Sequence, residues 1–190
     1  MHPFEFIILL FSFVYALAFT HLMFAATRMI RHRRALVFSW PHALWMLSAL
    51  LLLLANWIST WDFHTLEVLP MGLILLGFSF AALLYFICAL VAPDFEDGES
   101  FDMKAFHARE GRTYIGAFLV LVLISAAENF AAGASFAIQN WAASNLLVIL
   151  MVPPVAIALF VRRDWVQVLC PALVALSTLA FLFVFYGRLA

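Results

Sequence analysis

Glu128 and Asn129 stand side by side, one turn after Ser125, inside an otherwise apolar run from about 113 to 133. A carboxylate near the centre of a bilayer costs at least ~2.5–3.5 kcal/mol on insertion scales, so an acid is an expensive way to join helices that an amide could join. Asn56 and Asn145 each fall about five residues in from one boundary of their own apolar runs, and Glu128 lies ~22 Å from the opposite boundary of its run at helical rise. If the three helices are neighbours, Glu128, Asn129, Asn56 and Asn145 line one polar chamber suited to a proton, a cation or a small solute. The same residues also fit a packing surface, because Asn and Ser bridge helices and Ala127, Ala131, Ala132 and Gly133 permit close approach.

His21 is the second candidate. It precedes Arg28 by two helical turns on the same face, ~10 Å inside the boundary that Arg28 marks. A histidine there could relay protons or hold a metal. Glu5 and Ser12 share another face, about 160° away at ~100° per residue, so the helix carries no continuous proton wire. A b-type haem needs a second axial ligand at matching depth, yet His42 is expected at the interface and no other histidine falls inside a run. No cofactor is assigned. A third set, His2, Glu5, Asp62, His64 and Glu67, would share one compartment and could collect a divalent metal, although no pair among them has a recognised ligand spacing.

The elements that must position these groups follow from the distribution of charge. Apolar residues make up 67% of the 190 and charged residues 11%, against roughly 45–50% and about 25% in soluble domains. Six runs result, at about 4–27, 40–60, 66–92, 113–133, 141–161 and 165–187. Each reaches the roughly 20 residues that cross ~30 Å of hydrocarbon, and segments with no water to bond to must be helices. Nine of the ten Lys and Arg residues fall in alternate gaps: Arg28, Arg31, Arg33 and Arg34; Lys104, Arg109 and Arg112; Arg162 and Arg163. The positive-inside rule makes those gaps cytoplasmic. The expected architecture is one all-α polytopic domain over 1–190, a six-helix bundle in a cytoplasmic (inner) membrane with both termini outside and a cytoplasmic loop at about 93–112.

Local signals refine this picture. The basic cluster follows the first run instead of preceding it, the reverse of a secretory signal, so the Ala16-Leu17-Ala18 pattern is read as part of an uncleaved span. Ser39 before Trp40-Pro41 is expected to cap the second helix and Asp164 the sixth, while Pro153-Pro154 should kink the fifth. Ser100 is expected to cap a short surface helix carrying Phe101, Met103, Ala105 and Phe106 along the membrane. All six tryptophans are expected as interfacial anchors, and Cys88 and Cys170 as buried, unbridged filler.

No G-x-S-x-G, H-E-x-x-H, Walker-type loop or paired-cysteine motif occurs, which argues against soluble-type chemistry. The net charge of -1 gives no signal for nucleic acid. Three readings remain. The first is a small transporter or channel-type protein. The second is a non-catalytic accessory or assembly subunit bound to another membrane protein or to a second copy of itself. The third is a membrane redox or isoprenoid- or lipid-binding protein, for which the 21 phenylalanines would furnish an apolar pocket.

Overall fold

Uninterrupted apolar runs satisfy their backbone only as helices when no water is at hand, and six helices form. They are α1 (Pro3–Arg31), α2 (Trp40–Ser59), α3 (Met71–Val91), α4 (Met103–Phe136), α5 (Trp141–Phe160) and α6 (Asp164–Tyr186). The computed structural model describes residues 3–64, 71–94, 100–136 and 141–187, without the side chains of 3, 4, 62, 63, 73, 128–136, 141–144 and 147. Five helices are long and apolar enough to cross a membrane, and the apolar stretch described in α5 is Val148–Phe160. The helices fit a multi-pass membrane protein.

The central helix is α2, which packs closely on α6 and also touches α1, α3 and α4; α4 lies against α5, and α5 against α6. The outlying helix is α1, which packs chiefly on α3. Three cross-pairs show these two running parallel and in step: Phe11 lies over Gly77, His21 meets Tyr85, and Arg28 bonds Asp94 at 3.0 Å. A Cβ at position 77 would come 3.0 Å from the Phe11 ring, so glycine is what lets the pair approach there.

At the end of the bundle that carries the basic loops, two-residue strands β1 (Leu36–Val37) and β2 (Phe101–Asp102) pair in parallel and clip the α1–α2 connection to the start of α4. The expected surface helix does not form. Asp102, not Ser100, caps the helix there, accepting the Lys104 and Ala105 amides at 2.8 and 3.0 Å, and α4 runs unbroken from Met103. The physical reason is the inward stripe of Met103, His107 and Tyr114, which keeps these first turns in the bundle instead of on the membrane surface. Asp102→Ala removes the acceptor for both orphan amides and should lower stability by about 0.5–2 kcal/mol, read from the unfolding midpoint in detergent.

Other local expectations need adjustment. Ser39 holds the N-cap position of α2 in extended backbone but makes no side-chain capping bond, and Arg163 takes the α6 N-cap, leaving Asp164 in the first turn where its charge suits the helix dipole. Trp45 is no anchor: it is fully buried, with its ring 4.8 Å from Phe118 and 6.3 Å from Tyr114. Trp40, Trp57, Trp61 and Trp165 are exposed, as anchors are. Both cysteines are buried and free.

Candidate functional site

A helix that ends inside a bundle leaves carbonyls without amide partners, and at the basic end two such ends are met by side chains from other helices. The first is α3, whose last residue, Val91, has its carbonyl bonded by His42 Nε2 on α2 at 2.8 Å. The second is α5, where the Gln167 amide donates to Ala158 O at 2.7 Å and to Val161 O at 2.6 Å. Gln167 is in turn held by His107, whose Nε2–H donates to Gln167 Oε1 at 3.0 Å while its Nδ1 accepts from the Tyr114 hydroxyl. The bonds thus form one donor chain from Tyr114 through His107 and Gln167 to the end of α5, with the imidazole tautomer inferred from its partners.

His42 joins this cluster and is not interfacial. It is fully buried, its ring 5.0 Å from Phe106 and 6.3 Å from Tyr114. His107, 5.9 Å from the Tyr114 ring on its other bond, was missed at the sequence level because Lys104, Arg109 and Arg112 make its segment read as loop. Gly111 completes the arrangement, since a Cβ there would come within 3.3 Å of both the His107 ring and the Arg162 guanidinium. Two buried polar atoms in the cluster, His42 Nδ1 and Trp45 Nε1, have no hydrogen-bond partner among the described residues.

The expected intramembrane residues are placed as follows. Asn56 accepts a hydrogen bond from the Tyr15 hydroxyl on α1, and one residue on, Trp57 Nε1–H reaches Ser12 Oγ at 3.4 Å. A small apolar groove of about 220 Å3 lies along this seam, lined by Tyr15, Ala16, Phe19, Leu53 and Leu54 together with Ser12 and Trp57. Asn145 is buried on α5. Glu128 and Asn129 belong to α4, and their side chains lie outside the described residues.

His21 is exposed on α1 and meets Tyr85, Nε2 to hydroxyl 3.2 Å, with the rings in a T-shape 5.4 Å apart. Arg28 on the same face forms the ion pair with Asp94 and lies over the Phe24 ring at 5.6 Å. Of the external set, His2, Glu67 and the Asp62 side chain lie outside the described residues; Glu5 is exposed, and His64 bonds Trp61 O at 2.6 Å while stacking on its ring at 4.5 Å. Among the described residues no group of three or more His, Cys, Asp or Glu side chains converges as a metal site. The chain matches no family model, no curated protein and no solved structure.

Proposed function

We propose that the protein is a small transport protein of the cytoplasmic membrane that holds a proton, a cation or a small solute at a site built from Glu128, Asn129, Asn145 and Asn56. One observation supports this reading above the others. The buried stripe of α4 recurs every seven residues through His107, Tyr114 and Leu121, and position 128 is the next member of that register in an unbroken helix. Asn145 adds to it as a buried amide on α5, the helix against which α4 packs. The basic end then serves as the shut side of the path, since its polar cluster is tied into helix ends, and access is from the opposite face. On this reading the basic loops face the cytoplasm.

The test is flux into vesicles reconstituted with the purified protein, followed with a pH-sensitive dye and with sodium or potassium gradients between pH 5 and 8. Glu128→Gln keeps size and hydrogen bonding but removes the titratable group. It is expected to abolish flux with the unfolding midpoint unchanged. If the variant transports as well as wild type, or wild type transports nothing, the transport reading fails and the accessory-subunit reading replaces it.

A further inference from the structure

The lipid-facing side of α1 and α3 carries a polar pair well inside the span. His21 lies seven residues before Arg28, and Tyr85 six before Val91, the last residue of α3; both counts give ~9–10 Å below the basic boundary. Hydrocarbon chains offer nothing to a histidine nitrogen, and an unsatisfied polar group in lipid costs several kcal/mol. The serine and threonine residues exposed on these helices escape that cost by bonding back to their own helix, as Thr20, Thr27 and Ser79 do. His21 does not. With Nε2 accepting from Tyr85, Nδ1–H projects as a donor beside the free lone pairs of the phenol oxygen. In the other tautomer Nδ1 is an acceptor and the Tyr85 O–H is the free donor. Either way the pair presents hydrogen-bonding capacity to the membrane.

We propose that this notch binds the ring of a membrane-soluble isoprenoid quinone. Three features favour a flat ring bearing oxygens over a polar side chain on a partner helix. Exposed Phe86, next to Tyr85 and 59% exposed, offers a face on which an aromatic ring stacks, and Phe24, one turn from His21 and 62% exposed, adds ring surface beside the Arg28 guanidinium that lies over it. A quinone carbonyl accepts from one tautomer of the pair, and a quinol hydroxyl donates to the other. Below the pair, away from the basic end, Leu17 and Phe13 on α1 and Phe78 and Leu75 on α3 form an exposed apolar track along the same parallel helices, a bed for an isoprenoid tail.

The probe is decylubiquinone, titrated into full-length protein in lipid nanodiscs and read by thermal stability and by quenching of tryptophan fluorescence. Wild type is expected to show saturable binding, and decylbenzene, which has a tail and ring but no carbonyls, is expected not to compete. Tyr85→Phe deletes only a hydroxyl and His21→Leu removes the imidazole from an exposed position, so both should fold with unchanged midpoints and bind the quinone at least tenfold more weakly. Should His21→Leu fail to fold, Tyr85→Phe decides alone. Non-saturable uptake, equal binding by the variants, or loss of a dimer in the variants without any quinone effect would each overturn the proposal. The outcome is independent of Glu128 and of flux.

Discussion

Gln167→Leu is expected to lower stability by about 3–5 kcal/mol, the largest single-residue effect in the bundle. The substitution strands three groups at once: the Ala158 and Val161 carbonyls and the His107 Nε2–H. Each orphan costs about 1–3 kcal/mol where it is buried, as the Ala158 carbonyl and His107 Nε2–H are, and less at the half-buried Val161 carbonyl. Single hydrogen bonds in membrane proteins average only ~0.6 kcal/mol, because the unfolded chain in lipid also finds partners. Here the two carbonyls end a helix and have no amide to turn to, which moves the expected value above that average. His107→Phe should cost less, since it leaves only the Tyr114 hydroxyl and Gln167 Oε1 unpaired. The two changes should be non-additive in a double-mutant cycle by 0.5–3 kcal/mol or so, measured by titration from mild detergent into dodecyl sulfate. Additive effects would mean that the donor chain is not one unit.

Trp45 gives the second large effect, and its sign depends on the replacement. Trp45→Ala opens a cavity beside Phe118 and Tyr114 and should cost about 2–4 kcal/mol. That is below the range of about 3–5 for soluble cores, because lipid in place of water reduces the transfer part and leaves the lost packing. Trp45→Phe should be nearly neutral. It keeps a ring on Phe118 and deletes an indole N–H that has no partner among the described residues, so the loss of contact area is offset by removal of a desolvated donor. Thermal unfolding of both variants in the same detergent checks the contrast, and a Phe variant as unstable as the Ala variant would show that the N–H is bonded after all.

That the chain forms six helices was legible in the sequence because length and apolarity alone decide whether a run forms a helix of this kind, whereas α4 begins at Met103, ten residues before its apolar run and inside the stretch expected as a loop at about 93–112. The basic end was not legible. Lys104, Arg109 and Arg112 point away from Met103, His107 and Tyr114 on one helix, so a count of charges along the chain reads as loop what a helical projection reads as one buried stripe. Trp40 and Trp45 were grouped for the same reason, although five residues turn them about 140° apart, one outward and one into the core. The depth of His21 was readable from its distance to Arg28, whereas its partner Tyr85 was not, since nothing in either helix states that α1 and α3 run side by side and in step.

The side chains that close the helix ends also carry an order of synthesis. His42 is made before the α3 terminus it meets, and Arg28 before Asp94, so a chain extended just past α3 already holds both pairs. Gln167 belongs to the same hairpin as the carbonyls it bonds, and α5 with α6 can therefore enter the membrane as one unit with its turn satisfied. The bond from His107 to Gln167 is different, because it waits for α6 while α4 has long been in place. Insertion of the last helix is thus the step that locks the earlier ones, and a chain stopped after α5 would leave His107 Nε2 and the Ala158 and Val161 carbonyls without the partner that Gln167 supplies to all three at once.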